Sequence, residues 1–212
     1  MDFLTKAGPL IWPIILCSVI GLGIFLDRTY VLLRIGSGQA ELVSRLVALA
    51  RGGDVDKVIA LTRETRGPIT NVLGTLLDNL GLPENKRDQI VELSGNRELR
   101  RAQSGLRGLA VIARVAPLLG LLGTVVGLVE AFIAVSTMQG PPNPAVLANG
   151  IWQALLTTVA GLIVAIPAIL SHEWLQSRVN QLAFAMQESV TEMLAAVGMP
   201  ASAKKASGDA DA

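Results

Sequence analysis

The sequence predicts an all-α integral membrane protein: three transmembrane helices with long helical extensions on one side of the bilayer. Three observations carry this. Charged residues make up 17% of the 212, against about 25% in a typical soluble domain. The charges are also unevenly spread. Ala7 to Leu26 is 20 residues without a charge, and Val115 to His172, 58 residues, holds only Glu130. Finally, no stretch shows the period-two alternation of a strand at useful length.

Composition excludes several function classes. Lys plus Arg number 18 against 17 Asp plus Glu, a net charge of +1, so no nucleic-acid partner is expected. One cysteine and one histidine rule out an internal disulfide, a cysteine-based zinc site and a histidine cluster. A phosphate-binding loop, a dinucleotide fingerprint and a nucleophile elbow are all missing. No enzyme activity, catalytic residue, metal or cofactor is therefore expected.

About 20 apolar residues at 1.5 Å per residue cross a 30 Å hydrocarbon layer. After a short N-terminal stretch, 1–7, the first span is placed at 8–27. Its apolar run is longer than a signal peptide's, and Asp27-Arg28-Thr29-Tyr30 follows it, so it reads as a retained span. The region 28–114 is wet: residues 27–114 hold 14 Lys plus Arg and 10 Asp plus Glu. It reads as helices. Asp54 caps Val55–Arg66, Pro68 opens the next helix and Gly81 closes it. From Pro83 a long helix is expected to enter span two without a break, because Leu99, Ala102, Leu106, Leu109 and Ala113 recur every three to four residues.

Spans two and three are placed at 115–137 and 149–171. The turn signal Gly140-Pro141-Pro142-Asn143-Pro144 lies in the loop between them, 138–148. Leu175, Val179, Leu182, Met186, Val190, Met193 and Val197 then mark one apolar face of a helix at 172–198, to be buried against the 28–114 helices or a neighbouring copy. Gly198 and Pro200 end it. The small, polar tail 199–212 is expected to be disordered. Arg28, Arg34, Arg107, Arg114 and Arg178 flank the spans on one side and Lys6 alone marks the other, which puts the N-terminus outside and the C-terminus inside. Trp12, Trp152, Trp174 and Tyr30 read as interfacial anchors. His172 reads as an interfacial histidine and Cys17 as a buried apolar residue.

The chemistry sits in spans two and three. Gly120, Thr124, Gly127 and Ala131 share a helical face, as do Ala154, Thr158, Gly161 and Ala165. With Gly123, these small residues favour close helix packing. Pro167 leaves the carbonyl of Ile163 without its helical donor. Thr124 and Thr158 lie at similar depth near the bilayer middle, within about 6 Å. Each hydroxyl either bonds its own helix or lines a narrow polar pathway. Glu130 is an acid in a span, at an expense of about 3 kcal/mol, so it should face protein or water. Gln153 falls at its depth and is a candidate hydrogen-bond partner. Glu130 then serves either an ion route or a structural clasp.

These two segments resemble the MotA/TolQ/ExbB proton channel family, with the ExbB branch first and TolQ second. The resemblance rests on Ala116–Phe132 and Gly150–Ala168, about a sixth of the chain. It pairs Leu-Gly-Thr-Val-Val-Gly with Ala-Leu-Leu-Thr-Thr-Val-Ala-Gly-Leu-Ile-Val-Ala-Ile-Pro-Ala. The resemblance implies a bacterial inner-membrane protein that self-associates into a ring, a pentamer, lined by spans two and three. The ring would surround ExbD- or TolR-like one-span subunits carrying an essential aspartate. Ion flow would energise a TonB- or TolA-like protein. Thr124 and Thr158 would face the partner's aspartate. The family often carries a glutamate where this chain has Gln153, and Glu130 is expected to take its place.

The leading reading is thus an ExbB-like motor subunit that energises TonB-dependent import. A TolQ-like envelope-constriction motor and a non-conducting scaffold are the alternatives. A small permease fits less well, because three unequal spans show no internal repeat. Hydroxyls and one carboxylate suit protons and sodium alike.

Overall fold

The computed structural model describes residues 10–36, 39–138 and 144–198. The N-terminal stretch with Lys6, the Gly140–Asn143 part of the turn signal, Pro200 and the tail lie outside these residues. The described residues form seven helices: α1 (Ile11–Gly36), α2 (Gln39–Arg51), α3 (Val55–Glu64), α4 (Pro68–Asp78), α5 (Glu84–Gln103), α6 (Leu106–Ser136) and α7 (Pro144–Val197). Three are long and apolar enough to cross a membrane: α1 over Ile11–Leu32, α6 and α7. Their number agrees with the three spans expected. The 54-residue α7 holds both the third expected span and the stretch expected as a following amphipathic helix.

The chain divides into two compact units, Met1–Thr29 with Gly105–Gln176, and Tyr30–Ser104 with the residues from Ser177. The second unit is the wet one. Its core includes Leu46, Val58, Leu73 and Leu76, all fully buried. Pro68 stands at the first position of α4 as expected, where its missing N–H has no helical acceptor to lose. Asp54 precedes α3, but its carboxylate bonds Lys57 Nζ at 3.0 Å instead of capping the backbone. α3 stops at Glu64, not Arg66, and α4 stops at Asp78, with Gly81 in the following turn. The α4–α5 hairpin is tied by Thr75 Oγ1 and Ser94 Oγ, 3.0 Å apart, and by Asn71 Nδ2 donating to Glu98. Val179, Leu182, Met186 and Met193 of the expected apolar stripe are buried. Val190 is half-buried, and neighbouring Ser189 takes the interior position, donating to the Ala185 carbonyl.

One expectation is corrected. The helix from Pro83 does not run unbroken into span two: α5 ends at Gln103, and Gly105 adopts φ +82° before α6 begins. Only glycine takes this left-handed conformation without penalty. The apolar spacing hid the break because Ala102 and Leu106, both buried, keep a four-residue step across it.

In the first unit, α6 and α7 run antiparallel. Gly161 abuts Ala116, Gly120 abuts Thr158, Gly127 abuts Ala154 and Ala131 abuts Gly150. α1 runs parallel to α7, so that Ile11–Val19 lie beside Ala160–Val164 and Cys17–Phe25 beside Ile163–Ser171. Its C-terminal half also packs on α6, where Gly21 meets Ile112 and Leu109. Phe25 and Trp174 meet edge to face, with centroids 6.3 Å apart.

Candidate functional site

The small residues of α6 and α7 form a seam in which backbones touch. A Cβ on Gly161 would stand 2.6 Å from the Ala116 carbonyl oxygen and 3.1 Å from Gly120 Cα. On Gly123 it would stand 2.6 Å from Thr157 Cβ, and on Gly127 2.9 Å from Ala154 Cβ. Glycine is therefore a steric requirement here. Without a hydrophobic drive inside lipid, such contact and cross-helix hydrogen bonds hold membrane helices together.

Among the described residues, the seam carries one such bond. Thr158 Oγ1 donates to the Gly120 carbonyl at 2.9 Å. Thr158 thus lies level with Gly120, one turn or about 6 Å along α6 from Thr124. The half-buried Thr124 donates to its own Leu121 carbonyl at 2.7 Å. Each hydroxyl has spent its proton on a carbonyl and keeps lone pairs that can accept from an acid or a hydrated ion.

Thr157 was missed in the sequence. It is 1% exposed, fills the notch at Gly123 and donates to the Ala154 carbonyl at 2.7 Å. Its signal was present: it lies three residues after Ala154 and four before Gly161, on the seam face.

The four expected pathway residues divide into two pairs. At 100° per residue, Glu130 lies about 120° round α6 from Thr124, and Gln153 about 140° round α7 from Thr158. The antiparallel contacts put Thr124 and Thr158 on one flank of the seam, Glu130 and Gln153 on the other. α1 packs against that second flank, through Ile24 on Gly108 and Gly21 on Ile112. Glu130 and Gln153 are exposed, and neither side chain makes a hydrogen bond among the described residues. The considered clasp between them is therefore not formed within one copy. Pro167 sits inside α7 as expected. His172 Nδ1 stands 3.5 Å from Glu173 Oε1. Among the described residues, no three His, Cys, Asp or Glu side chains gather as a metal site requires.

The comparisons fit this architecture. Residues 65–188 match the MotA/TolQ/ExbB proton channel family. The biopolymer transport protein exbB1 of Vibrio cholerae is 32% identical over 168 residues, 77% of this chain and 73% of that protein. The Tol-Pal system protein TolQ of Haemophilus influenzae is 38% identical over 92 residues, 43% of this chain and 40% of its own. The biopolymer transport protein ExbB of Pseudomonas putida is 43% identical over 85 residues, 40% and 24% of the two chains. With three helices that can span a bilayer and a family match over more than half its length, the chain belongs to the MotA/TolQ/ExbB proton channel family.

Proposed function

We propose that this chain is the ExbB-like ring subunit of an ion-driven motor in the bacterial inner membrane, with its N-terminus periplasmic and C-terminus cytoplasmic. It couples the proton motive force to an ExbD-like one-span partner and, through a TonB-like protein, to outer-membrane import. The relatives' names support the transport role, and the identity to exbB1 extends over more of the chain than that to TolQ. The observation that carries the reading is the threonine flank. Two mid-membrane hydroxyls lie on the side of the α6–α7 seam away from α1, the side that faces the interior if α6 and α7 line a ring.

On this reading the partner's aspartate passes Thr124 and Thr158. Their lone pairs accept from the protonated acid or from the hydrated ion, while Gly120 fixes Thr158 in place. Glu130 stands on the other flank, outside the path. One charge crossing the membrane yields about 2.3 kcal/mol per 100 mV, and the ring must be stiff to turn this into motion. The backbone-to-backbone seam supplies that stiffness.

The test is proton flux in proteoliposomes holding the chain with its aspartate-bearing partner. Thr124→Val with Thr158→Val should abolish flux while the ring still assembles. Full flux in that double variant would overturn the pathway. Failure to co-purify with any one-span, aspartate-bearing protein would favour the scaffold.

A further inference from the structure

The first unit carries a groove that the seam does not use. Two cavities of about 240 Å³ each lie end to end between the parallel helices α1 and α7, sharing Ser18, Ile163 and Val164 as walls. Together they run from Ile11 to Phe25, about 21 Å along α1, longer than the roughly 15 Å of one leaflet's hydrocarbon. Their walls are mostly apolar. Gly21, which presents no side chain, deepens the inner cavity down to Ile112.

Polar side chains follow the lining residue Phe25 along α1, just beyond the inner end of the groove. Arg28 follows Gly21 and Phe25 on the same face of α1, at i+7 and i+3. Its side chain is 22% exposed and lies against Gly105, where an added Cβ would meet Nε at 3.0 Å. Nε pairs with Asp27 at 3.1 Å, and the two terminal guanidinium nitrogens take no partner among the described residues. Thr29, one turn past Phe25, holds a buried hydroxyl that also lacks a partner. Trp174, edge-on to Phe25, marks the interfacial level that such rings favour.

We infer that this groove is a binding site for one phospholipid. Its acyl chain lies between α1 and α7 and its phosphate pairs with the free nitrogens of Arg28. Groove and head site differ in chemistry as tail and head do, and a guanidinium fork suits a phosphate. The lipid would fill the space where α1 meets α7 only along its edges, fixing α1 to the other two helices.

The test begins with the unaltered protein, purified with its partner. In vesicles containing a phospholipid with a photoactivatable acyl chain, labelling should concentrate in 11–25 and 160–171, at least threefold above the exposed Val129 and Ile133 on the Glu130 side of α6. Native mass spectrometry after detergent exchange should retain about one phospholipid per chain. Ser18→Trp and Val164→Trp fill the groove from opposite walls, and each should cut retention severalfold. Arg28→Gln should cut it without closing the groove. Labelling no stronger than at Val129 and Ile133, or retention in both tryptophan variants equal to that of the unaltered protein, would overturn the site. So would disulfide cross-linking of Ser18→Cys between copies, which would put a second chain in the groove.

Discussion

Gly161→Ala is the sharpest probe of the seam. The new Cβ would stand 2.6 Å from the Ala116 carbonyl oxygen and 3.1 and 3.2 Å from Gly120 Cα and N. All three are backbone atoms, so no rotamer relieves the clash. Carbon–oxygen contacts settle at about 3.3–3.6 Å, so the helices must part locally by about 0.7–1 Å. The Thr158–Gly120 bond, now 2.9 Å, would then lengthen to about 3.6 Å, beyond hydrogen-bonding range. Overpacking costs about 1–3 kcal/mol and the lost interhelical bond about 0.6–2 kcal/mol. The helix-propensity gain of Ala over Gly returns about 1 kcal/mol. The net loss is about 1–4 kcal/mol. Gly23→Ala is the control: the same substitution in a spanning helix, with nothing within 4 Å of its Cβ, should be neutral or stabilise by up to about 1 kcal/mol. Unfolding titrations in mixed micelles, followed by tryptophan fluorescence, read the difference. If the two variants agree within about 0.5 kcal/mol, the error margin for independent sites, the backbone-contact argument is wrong.

Four further outcomes follow from the same geometry. Thr158→Ser keeps the donor to Gly120 and should retain flux and stability, whereas Thr158→Val should lose both, with stability falling by about 0.6–2 kcal/mol. Glu130→Gln should keep most proton flux, because the acid lies on the flank opposite the hydroxyls; loss of flux comparable to Thr158→Val would return Glu130 to the path. Gly105→Ala forces a left-handed residue and crowds Arg28, so it should destabilise by about 1–2 kcal/mol, read as faster proteolysis near 104–106. Leu73→Ala empties a fully buried site in the wet unit and should destabilise by about 2–5 kcal/mol in the same titrations.

The spans were legible because lipid leaves few options. A chain must satisfy its backbone internally to cross, so a 20-residue charge gap translates almost directly into a helix. The amphipathic stretch after span three was legible for a similar reason, since a strict three-to-four spacing buries one face, and Val179, Leu182, Met186 and Met193 are indeed buried. The break at Gly105 was not legible. The apolar step from Ala102 to Leu106 satisfies the helical period, and one glycine among many gives no sign that its φ has changed sign. Ser189 escaped notice because a serine that bonds its own i−4 carbonyl, as this one does to Ala185, packs like a small apolar residue.

The separation of Glu130 from the threonines is the instructive case. Depth follows from residue count, and Thr124, Thr158, Glu130 and Gln153 all lie within the membrane-spanning helices, as counting indicates. Azimuth also follows from residue count on each helix alone, at 100° per residue. What the sequence lacks is the facing relation between helices, which decides whether two flanks coincide. That relation is set by Gly123 receiving Thr157 and Gly120 receiving Thr158, a choice between adjacent threonines that differs by 100° of rotation. Had Thr158 filled the Gly123 notch instead, α7 would have turned and carried Gln153 away from the flank of Glu130. A single Cβ contact therefore determines which polar groups share a surface. Gly123→Ala, which pushes Thr157 out of its notch, should then alter flux through the rotation of α7 as well as stability, although residue 123 touches no ion.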